Sequence, residues 1–300
     1  MNRFVFRFVA LAVLIWPQIA HAQVHAPTSV QPGDHVVVTA LGADGFEAAA
    51  IRNADGSVVA EATSFALALS PQVKLSCAIL GIATTVAPGD YLLELRAGNG
   101  EPLPSRRLTI AGREFRREEI PLSETLTELR ARDDPRKTVE ALHLQAIVGE
   151  FNPESIYHPG PFSWPFPLTR RTSLFGDRRT YLYADGRRAS TIHTGVDLAS
   201  PTGTPVAASG AGLVRMARNR IVTGNTVVIE HLPGVFSLYY HLDEVLVNEG
   251  DVVRAGEPIG TVGATGLATG PHLHWEFCVG GVSVNPEGML PGLLAAVTSG

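Results

Sequence analysis

Lysine is missing from Thr169 to Gly300, where arginine supplies the basic side chains. This excludes a covalent carrier module, which needs an exposed lysine at a hairpin tip, even though two segments have the glycine-turned, valine-rich look of such hairpins: GTPVAASGAGLVR and GDVVRAGEPIGTVG. Cysteine is nearly absent. Cys77 and Cys278 stand in different halves and allow one disulfide at most; two buried thiols are expected instead. The formal net charge of −5 gives no global basic field, which excludes nucleic acid as a partner on charge grounds. Long apolar runs are lacking too. The run from Phe8 to Trp16 is too short for a comfortable membrane span.

That short run sits behind Arg3 and Arg7 and ahead of Ala20-His21-Ala22, the layout of a cleaved export signal over residues 1–22. The expected compartment is the periplasm, with full secretion as the other destination, and no membrane partner is expected after cleavage. Loss of Arg3 and Arg7 takes the formal charge from −5 to −7, so any attraction to an anionic polymer must be local.

From residue 23 to 112 the chain reads as short strands between turns. QPGDHVVVTALG and APGDYLLELRAG each pass from Pro-Gly-Asp into an apolar strand, and NADGS carries an Asp-Gly hairpin signal. The spacing predicts an immunoglobulin-like β-sandwich. Residues 113–161 read as a charged, helix-prone connector: REFRREE, then LSETLTELRA, then a helix capped by Asp134 with Pro135 at its first turn and Val139, Leu142, Ala146 and Ile147 on one face. His143 beside that face reads as packed or solvated. Five prolines between Pro153 and Pro167 resist both helix and central strand, and predict a stiff linker or a wrap around the next unit.

The third unit, residues 162–292, holds the chemistry. In TGPHLHWEF, residues 269–277, Leu273, Trp275 and Phe277 alternate with His272, His274 and Glu276, the pattern of a strand with one apolar face. Both imidazoles therefore share a side. HTGVD adds His193 and Asp197, with Gly195 between them favouring a loop that enters a strand, and LYYHL adds His241. Imidazole and carboxylate donors of this kind suit Zn²⁺, whose catalytic sites commonly use three protein ligands.

At these residues the chain resembles the lysostaphin/LytM-type zinc metallopeptidases, endopeptidases that cut the peptide part of bacterial peptidoglycan. The motifs are H-x-x-x-D, Y-H-L and G-P-H-L-H, supported by FGDRR, GNTVVIEH and NP between Phe162 and Leu290. The resemblance implies a C-terminal antiparallel β-sheet built on a duplicated hybrid motif. It implies His193, Asp197 and His274 as ligands of one zinc ion, His241 and His272 as the catalytic pair, and peptidoglycan peptides as substrate. It leaves Cys278 outside the metal set. The scissile bond, the identity of the general base and a cell-wall protein partner for the N-terminal domain stay open. The alternative is a catalytically silent LytM-like regulator that activates a cell-wall amidase. An insertion, RRTYLYADGRRASTI, precedes His193, and Arg170, Arg171, Arg178, Arg179, Arg187 and Arg188 flank the approach either as solvated loop residues or as partners for substrate carboxylates. Residues Arg113–Pro161 are expected to lie near the cleft.

Overall fold

Pro32-Gly33-Asp34 turns with Gly33 at φ 88° and launches the strand His35–Leu41, while Pro88-Gly89-Asp90 launches Gly89–Arg96. The two strands enter different sheets. In the computed structural model, which describes residues 23–41, 45–70, 73–167 and 170–292, the first belongs to a four-stranded sheet and the second to a five-stranded one. The export segment expected at 1–22 lies outside the described residues. Val36, Val38 and Leu80 from one sheet meet Ile51, Leu93, Leu95 and Leu108 from the other in a shared core, which makes the unit a β-sandwich. The Asp-Gly turn closes the hairpin between Ala48–Arg52 and Val58–Thr63, with Gly56 at φ 84°.

The second half of the strand Val73–Gly81, from Cys77 to Leu80, is apolar on both faces, and the packing explains why. Ala78 and Leu80 face the sandwich core, whereas Cys77 and Ile79 belong to the core of the C-terminal unit. At the end of this strand a Cβ on Gly81 would stand 2.8 Å from the Val279 carbonyl and 2.9 Å from Val282 Cβ, so only glycine lets the two units approach this closely.

The connector is part helix and part strand. Helix α1 (Glu124–Ala131) starts at Ser123, whose side chain accepts from the Leu126 N–H, and helix α2 (Pro135–Val148) starts at Asp134, which accepts from the Arg136 N–H. The Asp134 cap and Pro135 lie where the sequence put them. The segment REEIP, Arg117–Pro121, departs from the helical expectation: it is a strand paired in parallel with Arg178–Leu182, which in turn pairs with Arg188–Ile192 of the insertion. Charge favours it, because Glu118 meets Arg179 across the ladder and Glu119 meets Arg188 on the strand beyond. The stripe expected on α2 also divides. Ile147 and Val148 are buried against Met216, Phe236 and Leu238, but Val139 and Leu142 are each 66% exposed, since only the last turn of α2 packs into that cluster. His143 is exposed.

The proline-rich stretch wraps the C-terminal unit. Tyr157 and His158 N–H groups both donate to the His231 carbonyl, Phe162 and Phe166 enter the core, and Trp164 lies 5.1 Å from Trp275. That core lies against a ten-stranded sheet whose main path is antiparallel and runs Arg170–Ser173, Val196–Ala199, His272–Val279, Val235–Val245, Gly224–Leu232, Gly212–Arg220, Val252–Val253. The two glycine-turned segments pair with each other, Val206 opposite Gly260 and Gly212 opposite Val253. Leu273, Trp275 and Phe277 are fully buried, as their alternation predicts. The molecule is mainly β, with two α-helices among the described residues.

Candidate metal and catalytic centre

Strand register assembles the site. Asp197 pairs with His274 across one ladder and Tyr240 pairs with His274 across the next, so the three side chains form a row over three adjacent strands. His193 enters from the loop before Val196–Ala199. A Cβ on Gly195 would lie 2.4 Å from the Trp275 carbonyl and 2.7 Å from His274 Nε2, so this loop position must be glycine to reach the row.

The closest approaches are 3.1 Å from His193 Nε2 to Asp197 Oδ1, 3.0 Å from His193 Nε2 to His274 Nδ1 and 3.0 Å from His274 Nδ1 to Asp197 Oδ1. All three residues are buried. Their outer atoms are already committed. His193 Nδ1–H donates to the Leu174 carbonyl at 2.8 Å, His274 Nε2–H donates to Glu276 at 3.3 Å, and Asp197 Oδ2 accepts from Arg179 Nη2 at 2.5 Å. What remains facing inward is His193 Nε2, His274 Nδ1 and Asp197 Oδ1, two nitrogens and an oxygen within 4.8 Å of one another. Lone pairs converging in this way repel unless a cation lies between them. The donor set and its hydrogen-bonded outer partners fit a divalent metal of the zinc type.

Electrostatics agree with that reading. Burial would raise the Asp197 carboxyl, but hydrogen bonds and charge from His193 and His274 hold it well below the usual range, so it stays an anion. Burial lowers His193. Burial would also lower His274, yet its bonds to Asp197 and Glu276 carry it up to about 9, which makes a proton and a divalent cation alternatives at the same inward atoms. Glu276 is itself fixed by Thr194 Oγ1 at 3.0 Å and Ser283 Oγ at 2.6 Å.

His241 and His272 flank this trio with their rings 4.9 Å apart. Nδ1–H of His241 donates to the Thr265 carbonyl and Nδ1–H of His272 to the Gly270 carbonyl, each at 2.8 Å, which turns both Nε2 atoms to other use. His272 Nε2 lies 3.7 Å from Asp197 Oδ1. His241 is the only non-glycine with positive φ among the described residues, at 62°, a strained geometry for a residue that lines the cleft. Burial, then repulsion from His272 and His274, lowers its pKa to about 3. Of the two tyrosines before it, Tyr239 is in the core and Tyr240 lies flat on His274, 5.0 Å between centroids and 4° from parallel.

All five residues singled out in the sequence thus line one cleft of about 450 Å³, whose far wall is Glu118, Ile120, Leu122 and Arg130 of the connector with Tyr181 of the insertion. The connector does lie at the cleft. Sequence reasoning missed three contributors. Glu276 was visible as the next residue on the histidine face; Arg179, weighed with the substrate-facing arginines, is instead committed to Asp197 and Glu118; and Arg130 gave no local signal. Cys77 and Cys278 are free and buried, as expected.

Residues 191–286 match the sequence pattern of Peptidase family M23. They form an M23 domain. It contains His193, Asp197, His241, His272 and His274, whereas Arg179, Glu118 and Arg130 lie outside the matched residues. The chain is similar to DD-carboxypeptidase/endopeptidase Mpg of Neisseria meningitidis serogroup B, 45% identical over 122 residues, or 41% of this chain and 27% of that protein. It is also similar to peptidoglycan DD-endopeptidase ShyC of Vibrio cholerae serotype O1, 40% identical over 123 residues, or 41% of this chain and 28% of that protein. The chain therefore spans less than a third of the length of these curated relatives. Likeness to the crystal structure of a putative peptidase M23 from Pseudomonas aeruginosa reaches beyond the M23 domain: TM-score 0.57 at 27% identity, over 87% of this chain and 95% of that one.

Proposed function

We propose that this protein is an exported zinc-dependent endopeptidase that hydrolyses peptide bonds in peptidoglycan stem peptides or cross-links. The observation that carries the reading is the placement of two imidazoles, His241 and His272, 4.9 Å apart beside the inward-facing donors of His193, Asp197 and His274 in one cleft. The names of the Neisseria and Vibrio relatives support peptidoglycan as the substrate.

His193, Asp197 and His274 would hold the metal. When bound, zinc supplies Lewis acidity toward a carbonyl oxygen and makes water acidic enough to react near neutral pH. The remaining work belongs to side chains. With Nδ1 of both catalytic histidines tied to carbonyls, each ring offers Nε2 to the substrate. One accepts the proton released by the attacking water and passes it to the leaving amine; the other, protonated, hydrogen-bonds the carbonyl oxygen as it gains charge. The depressed pKa of His241 favours it for the neutral role. Glu276 and Tyr240 keep the His274 ring in plane, and Arg179 keeps Asp197 ionised and in place.

The silent-regulator alternative loses support because no ligand or catalytic position is vacated. Digestion of purified sacculi by the zinc-loaded full chain, followed by mass analysis of the soluble fragments, tests the peptidase reading. Release of fragments with new peptide termini is expected, and sacculi left intact would sink it. Export rests on the residue 1–22 pattern and is checked by N-terminal sequencing of the mature protein, which should begin at Gln23.

A further inference from the structure

Of the arginines that line or flank the cleft, all but Arg130 and the exposed Arg170 are committed to a neighbour among the described residues. Arg179 is held between Asp197 and Glu118, Arg188 by Glu119, Arg171 by Glu287 and Arg187 by Asp185, while Arg178 donates to Thr84 and lies over Phe115. Of the two exceptions only Arg130, in the last turn of α1, lines the cleft. Its guanidinium lies 4.1 Å above the Tyr181 ring, and its Nε is buried with no hydrogen-bond partner among the described residues. An atom buried to this degree is out of a ligand's reach, so an acceptor that arrives from outside must come to the Nη groups.

The mounting is rigid. Helix α1 is tied to the insertion hairpin by the Ala184 N–H donating to Thr127 Oγ1 at 2.9 Å and by the Leu122 N–H donating to the Leu182 carbonyl at 2.9 Å. Stacking on Tyr181 sets the plane of the guanidinium and leaves its edge for ligand. The cleft's own acids on that side, Glu118 and Asp197, are both neutralised by Arg179, so Arg130 is the uncommitted cation there.

We infer that Arg130 is a specificity-determining residue that receives a free carboxylate of the substrate peptide in the cleft, donating to it from its Nη groups. The inference rests on the peptidase reading and adds the chemistry of what is recognised: an acidic peptide in place of a neutral one. A planar, fork-shaped donor matches the geometry of a carboxylate.

The test uses the zinc-loaded full chain and two cross-linked peptide dimers that are identical except that the free carboxylates flanking the scissile bond are carboxylates in one and carboxamides in the other. Wild type should prefer the carboxylate dimer by about tenfold, mostly through KM, the scale of one charge-assisted hydrogen bond. Arg130→Met should cut the amidated dimer as wild type does and lose the preference, and Arg130→Lys should keep part of it. Equal cutting of both dimers by wild type, an undiminished preference in Arg130→Met, or equal slowing of both dimers in that variant would overturn the assignment. If wild type cuts neither, the peptidase reading fails, and titration calorimetry with the same dimers still decides: a binding preference that disappears in Arg130→Met upholds the carboxylate site, and equal affinities refute it.

Discussion

Arg179 Nη2 donates to Asp197 Oδ2 at 2.5 Å while its Nε donates to Glu118, with both the Arg179 and Asp197 side chains at a tenth exposure or less. One guanidinium from the insertion therefore orients a metal-facing carboxylate and fastens the connector strand beside it. Removing the cation would leave two carboxylates uncompensated, one of them buried. Arg179→Met is expected to weaken zinc by about 10- to 100-fold, the usual effect of losing an outer partner of a ligand. It should also destabilise the metal-free protein by about 3–5 kcal/mol, as when half of a buried pair is deleted. Adding Glu118→Gln should recover part of the melting temperature and none of the zinc affinity. Chelator competition and thermal melts separate the two effects, and unchanged zinc affinity would show that Arg179 only staples the connector.

Ligand and catalyst separate within a single motif. His193→Ala and Asp197→Ala should each lose stoichiometric zinc and sacculus digestion. His272→Ala, which leaves the three inward donors untouched, should keep zinc by elemental analysis and lose turnover by about 10²-fold or more, the scale of acid–base catalysis. Zinc lost from His272→Ala and kept in His274→Ala would reverse the two roles.

The backbone at His241 allows a sharper variant than alanine. At φ 62° asparagine is among the better tolerated residues and a β-branched side chain is a severe misfit. Both His241→Asn and His241→Val remove the imidazole, and both should lose turnover by about 10²-fold or more. Only the valine variant should also lower the melting temperature markedly. Equal melting of the two would mean that the strained φ relaxes at no cost.

What the sequence disclosed was whatever depends on local period and local chemistry. Alternation alone put His272, His274 and Glu276 on one face and Leu273, Trp275 and Phe277 on the other, and Asp134 and Pro135 marked a helix start. What it withheld depends on partners distant in sequence. REEIP is a strand whose charge partners are Arg179 across the ladder and Arg188 on the strand beyond, 61 and 69 residues on from Glu118 and Glu119. Val139 and Leu142 match a buried stripe but extend beyond the contact, which only Ile147, Val148 and Leu144 make. The five candidate residues were legible because motif spacing carries them; Arg179 and Arg130 were not, since nothing local distinguishes a committed arginine from a free one.

His231 gives the protein a titrating weak point away from the cleft. Its Nδ1–H donates to the Ala211 carbonyl at 2.8 Å and its Nε2 accepts from Ser237 Oγ at 2.7 Å, with the His158 ring edge-on at 6.3 Å and no carboxylate paired to it among the described residues. Burial, opposed only by the bond to Ala211, drives its pKa from 6.5 down to about 3. The folded chain thus refuses a proton that the unfolded chain accepts below pH 6.5. Stability from this group is complete above about pH 6.5 and falls by about 1.4 kcal/mol per pH unit as the pH drops toward 3. Between pH 6.5 and 5 wild type should lose about 2 kcal/mol more than His231→Gln, which has no proton to take up. Urea unfolding of the metal-free proteins at the two pH values measures the difference. The absolute stability of the variant does not matter, only its slope against pH, and parallel slopes would mean that His231 is protonated in the folded state or that other groups govern the acid limb.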